Sequence, residues 1–362
     1  MPSKNRKATA KVMTMREFGS EFDYVGDDGA IQSIWNGFST FKLLRCGRDA
    51  VSGTAIAMLK ERGIKTVWVP ALSCISMYGG FMLEGFKVNF YPIDESFNPL
   101  LDEKNDYKNS VVLFMLYYGV TDINQVGGFI KNHKEYVSIV DITHAVWNED
   151  AYCLPADAFI GSIRKSVGVV NGGIFLSNKF SIEAKNVPNK FTQLREGAFK
   201  LKNIYNNTRD ENIKNEYRKM FSDAELSLNN DTGVFSADNK SIRTVLSLNT
   251  EEIKRKRTLN FNKLSALLHG LSSVRPLCDK LQKNAIPFSL PVLVSNQSEV
   301  QLKLAKQGVY APVLWPINEN AKKVCKFSEK VSENMLSLPI DQRYSPDDMD
   351  LIYERLKQAV YD

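Results

Sequence analysis

The stretch from residue 137 to residue 173, VSIVDITHAVWNEDAYCLPADAFIGSIRKSVGVVNGG, holds a carboxylate, an imidazole, a hydroxyl and an amine in order: Asp141, His144, Ser162 and Lys165, with Gly172 and Gly173 behind them. Asp141 ends an apolar run that fits a buried parallel strand, and open α/β sheets place ligands at the carboxyl ends of their strands. A carboxylate emerging there can pair with a protonated ring nitrogen. Lys165 follows a second apolar run, AFIGSI, so its ammonium is expected to be partly desolvated and its amine ready to form a Schiff base. A Schiff-base lysine with an aspartate partner for a pyridinium is the protein-side signature of pyridoxal 5'-phosphate (PLP) chemistry. Taken singly, each residue has a plainer reading: a turn aspartate, a solvated lysine, a core histidine. Their joint order is what points to a cofactor.

The elements around them must supply an α/β frame. In CGRDAVSGTAIAMLKERGI, Gly47 can begin a tight turn and Asp49 onward reads as a helix ending near Gly63. A glycine turn entering a helix aims backbone N–H groups at one spot, which suits a phosphate, and Arg48 adds charge. KTVWVP at 65–70 reads as a strand, ALSCISMYGGFMLEG as a helix ending at Gly85, and KVNFYPI at 87–93 and NSVVLFMLYYG at 109–119 as strands. A helix to about residue 132 then leads into VSIVD, and this alternation argues a parallel sheet with right-handed crossovers. GGIFLSN is one more strand. Ile31 to about Leu44 reads as a helix with Ile34, Trp35, Phe38 and Phe41 on one face.

Residues 180–230 read as helices, with Leu194, Ala198, Leu201 and Ile204 at helical spacing; Arg195 and Lys200 are either a solvated face or substrate contacts. A long helix is expected from about Ser236 to Leu268, with a possible break near Asn249 and a stop at Gly270. The remainder alternates again: FSLPVLV, a helix around SEVQLKLAKQG, a strand LSLPI, and a last helix with Ser345 as cap and Pro346 first. The expected architecture is α/β, with an arm at 1–30, a large α/β/α sheet domain at 31–245 and a small α+β domain at 246–362.

The chain has 362 residues, 43% of them hydrophobic, enough for a large core. It contains no apolar run of membrane-spanning length, and MPSKNRKATAK lacks the apolar segment of a secretory signal, so a cytoplasmic location is expected. The net charge is +6, yet Lys and Arg are scattered apart from the N-terminus and KRKR at 254–257, which argues against nucleic acid and suits small anionic ligands. Cys46, Cys74, Cys153, Cys278 and Cys325 form no CxxC pair and are expected to be reduced thiols. With His133, His144 and His269 as its only histidines, no metal site is expected. G-x-G-x-x-G and P-loop motifs are both missing, which counts against a plain nucleotide-binding protein.

From about Phe41 onward the chain resembles the DegT/DnrJ/EryC1/StrS family of sugar aminotransferases, within the fold type I, aspartate aminotransferase-like PLP enzymes. Asp141-Ile142-Thr143-His144 matches the family's D-x-A-(Q/H), and Lys165 keeps the family's distance to Gly172-Gly173. CGRDA, VWVP, SCISMYGGFMLEGFKVNFYPID, GVYAPVLWPI and LSLPIDQRYSPDDMDLIYERL follow the family's order. The resemblance implies that Lys165 forms the Schiff base and then shuttles protons. It further implies that Asp141 keeps the pyridine nitrogen protonated, and that His144 lies by the cofactor ring or its phenolic oxygen. Gly47, Arg48 and Ser162 would hold the phosphate. Cys74 stands where the family has an aromatic residue stacked on the ring, and Asn171 where it has an acid.

The implied activity moves an amino group from an amino acid, glutamate by analogy, to a nucleotide-linked keto sugar in polysaccharide or amino-sugar biosynthesis, in a homodimer. Cys74, Asn171 and an intersubunit Asn/Arg segment unmatched in 225–250 keep a second reading open: a degenerate PLP-fold protein that binds a sugar or partner without transamination. A sugar dehydratase of the same fold is the third. There the lysine is typically replaced by histidine, so Lys165 counts against it.

Overall fold

The computed structural model describes residues 16–26, 34–132 and 135–361. Seven strands form the main sheet: β1 (Thr40–Leu44), β2 (Thr66–Pro70), β3 (Lys87–Tyr91), β4 (Val111–Met115), β5 (Val137–Asp141), β6 (Ala158–Ser162) and β7 (Gly173–Ser177). Their order is β1-β7-β6-β5-β4-β2-β3. Strands β2 to β6 are parallel, whereas β7 runs antiparallel to both β6 and β1. Strands β4 to β7 are buried at every residue, as uniformly apolar runs without alternation require of a sheet covered on both faces. The crossovers include α1 (Gly47–Arg62), α2 (Ile75–Leu83) and α3 (Ile123–Asn132). Gly63 closes α1 in the left-handed conformation, with its N–H on the Leu59 carbonyl.

The expected helix from Ile31 to Leu44 is corrected: residues 34–37 form a turn and Thr40–Leu44 is β1. Pairing decides it, because Thr40 to Leu44 match Ser177 to Gly173 of β7 residue for residue. The aromatic side chains that suggested one helical face are still packed, Trp35 stacked on Phe41 at 5.6 Å and Phe38 edge-on to Phe159 at 5.5 Å. Residues 1–15 and 27–30 of the expected arm, 31–33 of that helix and His133 lie outside the described residues.

Residues 180–230 are helical as expected, as α4 (Lys190–Thr208) and α5 (Glu211–Ser227), packed through Phe199, Tyr205, Tyr217 and Phe221. The long helix is broken into α6 (Asn239–Leu246) and α7 (Thr250–Leu268), and Asn249 caps the second by accepting from Glu252 N–H at 3.0 Å. A second, antiparallel sheet follows, in the order β10 (Met335–Leu338), β9 (Leu290–Val294), β8 (Val274–Pro276). It carries α8 (Gln297–Lys306), α9 (Glu319–Val324), α10 (Lys326–Asn334) and α11 (Pro346–Tyr361). Ser345 precedes α11 as expected, its N–H and hydroxyl both on Asp348 Oδ2 at 2.8 and 3.1 Å.

The described part of the arm crosses from one sheet to the other. Phe18 exchanges backbone bonds with Gly308 and Tyr310, and Arg16 pairs with Asp348 at 2.7 Å. Arg343 donates to the Ser20 carbonyl at 2.8 Å. At its far end Val25 N–H donates to Gly168 O at 2.9 Å, in the loop that follows Lys165. A Cβ on Gly168 would collide with the Asp23 carbonyl oxygen, so this close approach requires glycine.

Candidate active site

The carboxyl ends of β5 and β6 and the start of α1 meet at one corner of the main sheet. Asp141 is the last residue of β5 and Ser162 the last of β6; a 3₁₀ turn, Ile163–Lys165, then carries the chain off the sheet. Gly47 packs so closely there that a Cβ would come within 3.2 Å of both the Gly161 carbonyl oxygen and Ser162 Cβ. The junction of β1 and α1 is fixed by Arg45, buried and donating to Asp49 at 2.8 and 3.0 Å and to Asp231 at 2.7 Å. Asp49 also accepts from Phe235 N–H at 3.1 Å, so the acid in the first turn of α1 is committed on that side. A cavity of about 90 Å³ is lined by Gly47, Arg48, Asp141, Thr143, Ser162 and Lys165, together with Ser76, Met77, Arg164 and Glu225.

Thr143 holds Asp141 Oδ1 through its N–H at 2.8 Å, and its hydroxyl accepts from Ser162 N–H at 3.1 Å, tying the two strand ends together. Burial raises the Asp141 pKa; the Thr143 hydrogen bonds and the charge of Lys165 oppose the shift. Ser162 Oγ is buried and has no partner. Lys165 departs from expectation in one respect: its side chain is exposed. The 3₁₀ turn explains this, since Ile163 takes the fully buried place and Lys165 is left at the rim, Nζ 5.9 Å from the Trp315 ring centroid. An apolar run before a lysine fixes where the backbone goes; the next turn fixes where the ammonium points.

His144 lies beside the site but does not line the cavity. Its ring is stacked on Phe288 at 4.1 Å and on Trp315 at 5.2 Å, both from the C-terminal part of the chain. Nδ1 accepts from Tyr118 N–H at 3.1 Å, and Nε2 is buried without a partner. Burial and the nearby Lys165 and Arg257 charges push its pKa well down, so the ring is neutral and the proton sits on Nε2. Cys74 is likewise not among the lining residues; its Sγ meets Ser76 Oγ at 2.9 Å at the start of α2. Arg48 lines the cavity but donates to Asn229 Oδ1 at 3.1 Å. Of the two basic residues singled out in α4, Arg195 is buried and Lys200 exposed.

Sequence reasoning missed Arg164 and Glu225. Arg164 sits beside Lys165 in the same turn, a neighbour whose role only the turn reveals. Glu225 lies in the charged run of α5, where nothing local separates it from solvated acids. Its Oε1 accepts from Arg164 at 2.9 Å and lies 4.0 Å from Arg195. Burial works against ionisation of Glu225, yet the Arg164 and Arg195 guanidiniums hold its carboxyl below the ordinary range. Arg195 itself is brought down to about 9 by burial and by Arg164. Among the described residues no group of three or more His, Cys, Asp or Glu is placed to hold a metal, and no helix is long and apolar enough to cross a membrane.

This sheet order, with a smaller antiparallel sheet behind it, is the fold of the fold type I PLP-dependent transferases. No protein-family model matches the sequence, and comparison with curated proteins gives no match either. Among solved structures, the chain is similar to Helicobacter pylori PseC, an aminotransferase involved in the biosynthesis of pseudoaminic acid. That match has a TM-score of 0.64 and 12% identity, over 95% of this chain and 99% of the other. A DegT DnrJ EryC1 StrS aminotransferase from Brucella abortus matches with a TM-score of 0.59 and 14% identity, over 90% and 87%. NtdA from Bacillus subtilis, solved with bound cofactor PMP, matches with a TM-score of 0.61 and 14% identity, over 90% and 74%. At these identities the likeness shows the fold.

Proposed function

We propose that the chain is a PLP-dependent aminotransferase moving an amino group from an amino acid, glutamate on our reading, to a nucleotide-linked keto sugar in amino-sugar or polysaccharide biosynthesis. The observation that carries this is the convergence of Asp141, Ser162, Lys165 and the start of α1 on one cavity. The residues fit the cofactor. Ser162 Oγ is a buried hydroxyl without a partner beside a helix N-terminus, the donor set a phosphate takes. Asp141 is a buried carboxylate whose hydrogen bonds come from neutral Thr143, and a pyridinium N–H would supply the missing cation.

PLP, when bound, supplies an aldehyde for amine exchange and a ring that spreads the charge left at a deprotonated carbon. Lys165 Nζ, at the exposed rim, would hold the cofactor's aldehyde and would move the proton between the donor's α-carbon and the sugar carbon. Asp141 would keep the ring nitrogen protonated. Ser162 Oγ and the first N–H groups of α1 would hold the phosphate. Neutral His144, stacked on Phe288 and Trp315, adds no charge beside the cavity.

The test is an absorbance spectrum with added PLP before and after borohydride, with peptide mapping of the product. A visible band that borohydride removes, with the label on Lys165, is expected. Lys165→Ala should lose the band, and transfer from glutamate to nucleotide keto sugars should fall about 10²-fold or more. A second reading, binding without transamination, is favoured by the exposure of Lys165 and the small cavity volume of about 90 Å³. It becomes the account if no band forms or the label lies elsewhere.

Two further parts of the reading are proposals. The cofactor-binding unit is taken as 31–245 and the smaller unit as 246–362, a boundary that falls at the end of α6. A homodimer is supported by Ile75, Met82 and Leu83 of α2, which are 57%, 51% and 65% exposed. Light scattering of the purified protein checks the mass.

A further inference from the structure

We propose that Arg164 binds the phosphate of the cofactor, in competition with Glu225; this rests on the PLP reading above. Arg164 stands between Ser162 and Lys165 in the 3₁₀ turn, over the Phe191 ring at 4.9 Å. It is buried on that side and makes one bond to a carboxylate, to Glu225 Oε1 at 2.9 Å, while its Nε is buried without a partner. A guanidinium presents a fork that suits two oxygens, so Arg164 is only partly satisfied. Arg195 reaches the same Glu225 oxygen only at 4.0 Å and donates to the Val170 and Val169 carbonyls at 3.0 and 3.2 Å. Arg48 and Lys165 also line this cavity, whose lining carboxylates are Asp141 and Glu225.

The first turn of α1 is part of the same cluster, and its own acid, Asp49, is committed to Arg45 and Phe235 N–H. Unpartnered Ser162 Oγ, the α1 start and the Arg164 fork therefore meet as one donor set, in a cavity where Arg48, Arg164 and Lys165 carry one positive charge more than Asp141 and Glu225 balance. A phosphate dianion matches that set better than a single carboxylate does. Glu225 has somewhere to go. Its side chain is 43% exposed and also lines a neighbouring cavity of about 350 Å³ that includes Lys214 and Arg218.

The alternative is that the Arg164–Glu225 pair merely tethers α5 to the lysine turn. The two accounts predict opposite signs for Glu225. Dissociation constants are measured by fluorescence titration for PLP and for pyridoxal, which lacks the phosphate, and by calorimetry for inorganic phosphate. Arg164→Ala is expected to weaken PLP about 10-fold or more and to abolish phosphate binding, while leaving pyridoxal affinity unchanged. Glu225→Gln is expected to tighten PLP and phosphate several-fold, and Glu225→Asp, shorter by one methylene, to do the same if the first variant is poorly folded by circular dichroism.

Glu225 variants that weaken PLP, or an Arg164→Ala effect equal for PLP and pyridoxal, would overturn the proposal in favour of the tether. Labelling of Lys165 by PLP with unchanged affinity in Arg164→Ala also overturns it, yet leaves the aminotransferase reading standing. Phosphate binding that depends on Arg164, with no lysine labelled, supports the anion site and sinks that reading instead.

Discussion

Asp141 is a buried carboxylate whose hydrogen bonds come from neutral Thr143, with the charge of Lys165 only partly offsetting its burial, an arrangement that serves a cationic ligand and costs stability without one. Its pKa is raised in the fold, so the proton is held more tightly there than in the unfolded chain. Stability linked to this group is therefore present at low pH and is lost as pH rises from the ordinary carboxylate range through the raised value. Asp141→Asn should stabilise the cofactor-free protein at pH about 8 by on the order of 1 kcal/mol, a rise in melting temperature of about 2 °C. The advantage should shrink as pH falls into and below the ordinary carboxylate range, where Asp141 takes up its proton. Melting curves of the two proteins across that range check the sign. The place of Asp141 at a strand end was legible in the sequence, as was that of Ser162, because each closes an apolar run that fits a buried strand. Arg164 and Glu225 were not, since the pair is made between residues 61 apart in sequence by the docking of α5.

At the scale of elements, the buried parallel strands and the capped helices could be read because their signals are local: period, glycine stops, Asn and Ser caps. β1 could not. TFKLL has the composition of either element, and only β7, far along the chain, makes it a strand. The loop after Lys165 is another element defined from outside, held by Val25 N–H on Gly168 O and by Gln342 and Arg257 on the Ser166 carbonyl at 2.8 and 3.3 Å. Gly168→Ala must displace either the loop or the arm, because its Cβ collides with the Asp23 backbone. A loss of about 2 kcal/mol in denaturant unfolding is expected, with faster proteolytic cleavage of the arm. An unchanged midpoint would show that the arm contact carries little.

At the scale of the molecule, one hydrophobic cluster runs from the main sheet into the second, taking in Val67, Ile139, Leu290 and Leu356. Arg257 of α7 is the polar counterpart of that continuity. It is buried, brought down to about 10 by that burial, and donates to Gln342, to Phe288 O at 2.9 Å and to Pro287 O at 3.3 Å as well as to Ser166. Arg257→Ala would orphan several carbonyls at once and is expected to lower stability by about 3 kcal/mol, read as a shift in urea midpoint. It should also loosen the seat of Phe288, on which His144 is stacked. None of this junction was visible beforehand, because its acceptors are backbone atoms that any residue could have supplied.

The arm joins parts of the chain far apart in sequence. Arg16 and Ser20 are synthesised well before Asp348 and Arg343, which hold the arm and lie 332 and 323 residues further along. The sheet that carries Asp141 and Lys165 can form in the meantime, but the strap over the lysine loop cannot. A nascent chain therefore holds the chemical residues well before it holds them in place, and a chain cut short within its last helix would keep the lysine while losing part of what anchors the arm.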